Sequence, residues 1–245
     1  SADAVIRVPL YANPRPVSRF TVVKSIENFT DSQYDALEMQ FRTRVRGTDS
    51  LQVSYTLSRT YLMGVTHYAT FQGTQRTPQE EGYSGQDTRH NLSIAASTSL
   101  PWGFEVSGIV KALSGTPFNV QAGFDLDGDG QTQNDRPLGL PITVGRVDVE
   151  ESLSIINSLR ATRNLAPVSS DLLKLEPYVS LDGRITKAFA MPGGNSLQFF
   201  AEGYNLTNVV NLSSTPNGNI NSTSFLVRSN AADARQVQFG ARFVF

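Results

Sequence analysis

The chain has 245 residues, of which 39% are hydrophobic and 18% charged, and its formal net charge is −1. A protein that binds nucleic acid is expected to have an excess of basic residues, and this near-neutral net charge argues against such a function. The absence of cysteine excludes disulfides, thiolate metal sites and cysteine nucleophiles. The sequence contains no run of about 18 apolar residues, so it predicts no transmembrane helix. A transmembrane β-strand, however, needs only about 9–11 residues of alternating pattern.

Apolar and polar residues alternate along most of the chain, and this period of two predicts strands with one apolar and one wet face. The main predicted strands are 17–28, 33–47, 50–62, 87–100, 103–121, 177–190, 195–207 and 234–245. Residues 1–16 form an N-terminal segment that could add one strand, and residues 17–245 form one β-domain. The one helical pattern, DVEESLSIINSLRATRN, lies inside a long loop.

Short and long connections alternate between these strands. Tight turns follow the second, fourth and sixth strands at GTDS, LPWG and MPGGN, which contain the Gly, Pro, Asp and Asn that such turns need. The long loops cover about 63–86, 122–176 and 208–233. In an antiparallel meander, alternate connections lie at opposite ends. The asymmetry is therefore typical of outer-membrane barrels, with short periplasmic turns and long extracellular loops.

The polar parity carries charges in mid-strand, and a charge costs about 2–4 kcal/mol at the lipid midplane. We therefore expect this parity to face the lumen, and its charged members are Glu38, Arg42, Arg44, Arg46, Lys111, Asp182 and Arg184. The three arginines on the second strand could attract an anionic solute. The alternative is pairing with acidic residues of neighbouring strands, namely Glu38, Glu105, Asp182 and Glu202. Abundant Ser and Ala on this parity favours the wall of a barrel wider than eight strands.

One acidic cluster has the spacing of a metal loop. In DLDGDGQTQNDRP, Asp125, Asp127 and Asp129 alternate before Gly130, like the start of a calcium loop with oxygen ligands, and Asp135 could add a ligand. The twelfth position is Arg136, so the segment is not an EF-hand. The alternative is a structural loop of Asx turns without Ca²⁺.

No motif predicts catalysis. The sequence contains no G-x-S-x-G elbow, P-loop or dinucleotide fingerprint, and its two histidines have no companion carboxylate or serine motif. We expect the protein not to be an enzyme.

Five stretches in order resemble the C-terminal barrel of TonB-dependent receptors, specifically the large Oar-like receptors. They are YDALEMQFRTRVRGTDSLQVSYTLSRT, DTRHNLSIAASTSLPWGFEVSGIVKALSGTPFNV, DLDGDGQTQNDRP, YVSLDGRITKAF and LQFFAEGYNLTNVVNL. The resemblance implies a bacterial outer-membrane transporter of about 22 strands with an N-terminal plug. The chain, with about eight strands and neither plug nor energy-coupling box, looks like the C-terminal third.

The closing VQFGARFVF looks like the C-terminal signal of outer-membrane proteins, with Phe239, Phe243 and Phe245 on one parity. The resemblance associates this signal with the barrel-assembly machinery. Other implied partners are outer-membrane lipid and either the rest of the barrel and plug or further copies of the chain.

Two alternatives to a transporter stay open. One is a structural outer-membrane barrel or self-assembling tube component without transport, since exposed strand edges invite assembly. The other is a soluble, calcium-dependent β-sandwich, in which the apolar faces would pack against each other.

Overall fold

The computed structural model describes residues 31–45, 49–63, 81–124, 132, 135–212 and 215–245. The strands are β1 Asp31–Arg44, β2 Ser50–Met63, β3 Glu81–Tyr83, β4 His90–Leu100, β5 Phe104–Leu113, β6 Tyr178–Ala190, β7 Ser196–Tyr204 and β8 Gln236–Val244. One α-helix, α1, spans Val149–Thr162. A short 3-10 helix lies at Ser170–Leu173, and tight turns lie at Pro101–Gly103 and Pro192–Gly194. None of the helices in the described ranges has the length and apolar character needed to cross a membrane.

All strands belong to one antiparallel sheet with the order β1-β2-β4-β5-β6-β7-β8, and β3 pairs with the end of β2. Each long strand pairs with the next long strand along the chain, so the sheet is a meander. The all-β, antiparallel class predicted from the alternation is confirmed. The predicted strand ends agree within three residues for β1, β2, β4, β6, β7 and β8.

Short and long connections leave from opposite ends of the sheet, as the turn chemistry predicted. The short connections are 45–49, 101–103 and 191–195, and the long ones are 64–89, 114–177 and 205–235. Because every pairing is antiparallel, the short connections share one end and the long connections share the other.

The sheet is open in the described part of the chain, with β1 and β8 at its two edges. Its order contains seven long strands, so β1 and β8 run in the same direction. They therefore cannot close the sheet by antiparallel pairing, and closure needs an odd number of further strands. The predicted strand 17–28 would precede β1. It lies outside the described residues, as does segment 1–16.

The predicted strand 103–121 is wrong at its end, because β5 stops at Leu113. Beyond that point Phe118, Val120 and Ala122 continue the alternation, but they are buried in the long-loop region. Their apolar parity serves a loop core and not the sheet.

The buried hydrophobic cluster of the described residues lies in the long loops and not between two sheets. Its members are Phe118, Val120, Leu140, Val144, Ile156, Leu173, Ile220, Phe225 and Leu226. A β-sandwich would bury the apolar faces of two sheets against each other. The sandwich interpretation is therefore wrong for the described part of the chain.

Helix α1 forms inside this loop region, where the sequence predicted it. Glu150 and Glu151 in the first turn and Arg160 in the last complement the helix dipole. Ser152, Ile156 and Arg160 are spaced by four residues and are buried, so one face of α1 packs on the loop core.

Candidate functional site

The strand register aligns the apolar parity of all long strands on one face of the sheet. One row crosses β2, β4, β5 and β6, and each of its residues is directly paired with the next: Val53, Ile94, Val110 and Leu181. Large apolar side chains on this face are exposed, among them Leu37, Met39, Phe41, Val179, Ile185, Phe189, Phe199, Val237, Phe239 and Phe243. Soluble monomers rarely expose contiguous apolar patches above a few hundred Å². We call this surface the apolar belt.

On β1 and β2, the belt ends in polar residues towards the long-loop end of the sheet. Asp35 and Arg59 are paired in register and form an ion pair of 2.6 Å between Oδ2 and Nη2. From Asp35 to Val45, a rise of about 3.3 Å per residue and a tilt of about 40° give a height of about 25 Å. The apolar band of outer-membrane barrels has this height.

Aromatic rings collect at the short-turn end of the belt. Phe189 and Phe199 meet edge to face, with centroids 6.0 Å apart, and Phe243 stacks on Phe245 at 6.1 Å. Phe104 and Trp102 lie at the neighbouring turn. Aromatic girdles of this kind mark the lipid–water interface in transmembrane barrels.

The sequence model of the outer membrane beta barrel domain family matches residues 6–238. The chain belongs to this family. No curated protein and no solved structure matches the chain. Membership places the protein in the bacterial outer membrane, as expected from its strands and loops. The apolar belt therefore faces lipid, the short turns face the periplasm and the long loops face the exterior.

The structure places the described charged residues of the polar parity on the face opposite the belt. They are Glu38, Arg42, Arg44, Lys111, Asp182 and Arg184, and Arg46 lies outside the described residues. In a membrane barrel this face lines the interior. It carries the small side chains of Ser54, Ser93, Ala95 and Ser97 in neighbouring rows.

The expected pairing of the arginines on β1 with Glu105, Asp182 and Glu202 is wrong, because β2 and β4 separate β1 from the strands that carry those residues. Glu202 instead forms an ion pair with Arg184, with 2.7 Å between Arg184 Nη1 and Glu202 Oε1. The Glu202 carboxylate also accepts a hydrogen bond from Gln238.

Asp182 has hydrogen-bonding partners in place of an arginine. Its Oδ1 accepts one hydrogen bond from the Ser180 hydroxyl at 2.7 Å and another from the backbone N–H of Asn205 at 2.9 Å. Within the described ranges no ion pair involves Arg42 or Arg44, and both residues are exposed.

Three loop segments pack into one body at the long-loop end, which we call the cap: residues 114–124, 135–176 and 215–228. Backbone bridges join Phe118 to Val144 and Gln121 to Asn219. The buried Arg160 ties helix and loop together, since Nε donates to the Ala166 carbonyl and Nη1 to the Ile220 carbonyl, each at 2.8 Å. The cap is therefore a cored unit and not a set of separate loops.

A buried ion pair attaches the cap to the sheet. Asp87 has 0% exposure, and its Oδ1 accepts from the Thr60 amide on β2 at 2.7 Å. Its Oδ2 lies 3.0 Å from Arg146 Nε, and Arg146 Nη2 donates to the carbonyls of Asp87 and Gly115 at 2.7 and 3.1 Å. Burial lowers the pKa of the Arg146 guanidinium, and the Asp87 charge opposes this shift.

Sequence reasoning missed the pairing of Asp87 with Arg146, because no motif links the two residues. They are far apart in the sequence, and only the folded loop brings them together. The position of Asp87 at the start of the predicted strand 87–100 was the sole signal for it.

Of the four predicted calcium ligands, only Asp135 lies in the described part of the chain. It is buried, and its backbone carbonyl accepts from the Ala122 amide at 2.8 Å. Asp125, Asp127 and Asp129 lie outside it, and the described residues contain no cluster of three potential metal ligands. Calcium binding stays a prediction.

Proposed function

We propose that the chain forms the C-terminal wall of a larger TonB-dependent, Oar-like barrel that binds a ligand at the cell surface and transports it across the outer membrane. The cap is the observation that carries this proposal. Binding residues are often found on loops that a rigid scaffold positions, and packing together with satisfied polar groups holds such a surface in shape. The proposal assigns the chain no catalytic activity.

The polar face supports a wide barrel. An eight-stranded barrel has an interior that side chains fill. Ser54, Ser93, Ala95 and Ser97 are too small to fill one, and they suit a wall around a wider interior. The partners in this proposal are the preceding barrel strands and plug, outer-membrane lipid and the barrel-assembly machinery.

A structural barrel or tube component is the second candidate. The observation that favours it is the open sheet, whose edges β1 and β8 each have one strand neighbour in the described residues. Such edges can pair with other copies of the chain.

Uptake separates the two candidates. Cells with and without the protein are given a mixture of labelled oligopeptides and oligosaccharides, and depletion of each compound from the medium is measured by mass spectrometry. Transport predicts that the protein-producing cells deplete at least one class, and that a protonophore abolishes the difference. Equal depletion by both cell types, with the protein inserted in the membrane, would contradict transport and favour the structural role.

A further inference from the structure

Lys187 interrupts the apolar belt near its periplasmic end. In the register it lies opposite Phe104 on β5 and Phe199 on β7. Along β6, the flanking residues of the same parity are Ile185 and Phe189. A charged side chain is tolerated on the lipid face only where it can reach the interface, so the position of its ammonium group matters.

The ammonium group of Lys187 lies against the 101–103 turn. Nζ is 4.8 Å from the ring centroid of Phe104 and 5.3 Å from that of Phe189, within cation–π range. A β-carbon placed on Gly103 would lie 3.6 Å from Nζ. In the described part of the chain no carboxylate forms an ion pair with Lys187. Its charge therefore lies beside two aromatic rings but has no counter-ion there.

The same turn carries Trp102, the single tryptophan of the chain. Its side chain is 83% exposed, and its backbone has φ of 64°. A bulky residue with a left-handed backbone is a conformational outlier, because glycine or asparagine suits such a position better. An indole prefers the headgroup level of a membrane, which accounts for tryptophan on a turn at the periplasmic interface.

We propose that Lys187, together with the Pro101–Gly103 turn and the rings of Phe104 and Phe189, binds the phosphate of an anionic phospholipid in the periplasmic leaflet. The phosphate supplies the missing counter-ion, and the two rings border the lipid chains. A lipid fits this site better than a free anion, because the ammonium group lies on the lipid-facing side of the sheet. The proposal rests on the membrane location and not on transport.

Trp102 reports on this site, because no other tryptophan contributes to the fluorescence. The protein is reconstituted into phosphatidylcholine vesicles that contain equal fractions of brominated phosphatidylglycerol or brominated phosphatidylcholine, and bromine quenching of Trp102 is compared. We expect phosphatidylglycerol to be enriched about threefold to fivefold at Trp102, the preference that one cation beside an anionic lipid can supply. Lys187→Gln should bring the enrichment to about one.

Lys111→Gln is the matched control, since it removes the same charge from the polar face and should keep the wild-type preference. Heat-modifiable gel mobility confirms that each variant is folded. Equal quenching by both lipids in the wild type, or an unchanged preference in Lys187→Gln, would overturn the proposal. Loss of the preference in inorganic phosphate, but not in chloride of equal ionic strength, would show a free-phosphate site instead and would also overturn it.

Discussion

Asp87 is a charged residue with no contact with solvent, and its neutralisation depends on Arg146 at 3.0 Å and Arg89 at 3.9 Å. Removal of one partner from a buried ion pair leaves an uncompensated charge and costs about 3–5 kcal/mol. At the residue scale, one carboxylate therefore contacts both β2 and the cap, beside the hydrogen bonds that Thr143 and Ser114 of the cap make with Tyr83 and His90.

We expect Asp87→Ala to loosen the cap. A loss of about 3 kcal/mol would raise the population of the opened cap about a hundredfold. Hydrogen exchange of the 136–176 amides in the detergent-solubilised protein measures this change. The control is Asp171→Ala, which breaks an exposed pair with Lys174 and should leave the exchange unchanged. Equal exchange in Asp87→Ala and the wild type would contradict the role of Asp87.

Phe245 is 97% exposed and stacks only on Phe243 among the described rings, so its burial contributes little to stability. We expect its deletion to reduce the fraction of protein inserted in the outer membrane, because the resemblance to outer-membrane receptors implies that the barrel-assembly machinery recognises the signal formed by Phe239, Phe243 and Phe245. Refolding into detergent micelles, which bypasses that machinery, should be nearly unchanged. Unaltered insertion in cells would contradict the signal, and Phe245→Tyr serves as the conservative control.

At the scale of the elements, β4 presents two environments at adjacent positions. Ile94 pairs with Val53 and Val110 on the belt, whereas Ala95 pairs with Gln52 and Ile109 on the opposite face. Consecutive strand residues point to opposite faces, so the same charge meets lipid at one position and the barrel interior at the next.

We expect Ile94→Arg to lower the free energy of unfolding by about 2–4 kcal/mol, the cost of an arginine at the lipid midplane. Ala95→Arg should cost much less, because its guanidinium reaches the polar face. Denaturant titration of the protein in lipid vesicles measures both values. Equal losses in the two variants would mean that the faces are assigned wrongly.

At the scale of the whole molecule, strand direction limits how the barrel can close. The edges β1 and β8 run the same way, so at least one further strand must lie between them in any fully antiparallel barrel. This holds for a small barrel closed by the predicted strand 17–28 and for a larger barrel.

The natural absence of cysteine makes this closure testable by engineered pairs. Oxidation of Gln40→Cys/Gln238→Cys in the membrane-inserted protein should give no disulfide within the chain, because these residues lie on β1 and β8. The positive control is Ser54→Cys/Ser93→Cys, whose positions are directly paired on β2 and β4 and should cross-link. A disulfide between β1 and β8 would show that the barrel closes with a parallel pair.

The sequence by itself determined β1, β2, β4, β6, β7 and β8 to within three residues at each end, the segregation of short and long connections and the faces of the sheet. Alternation and turn chemistry are local, so a few adjacent residues such as Leu37 to Phe41 already contain the pattern. Helix α1 was predictable for the same reason. The acidic partners of the β1 arginines were not, because neighbours in the sheet depend on strand order.

Only the tertiary structure decided what the long loops build. Phe118 and Val120 have the alternation of a strand, but they belong with Ile156 and Ile220 to the buried core of the cap. Asp87 and Arg146 are 59 residues apart in the sequence and meet only in the folded structure. These contacts join distant parts of the chain, and no local pattern records which distant residue will share a buried space.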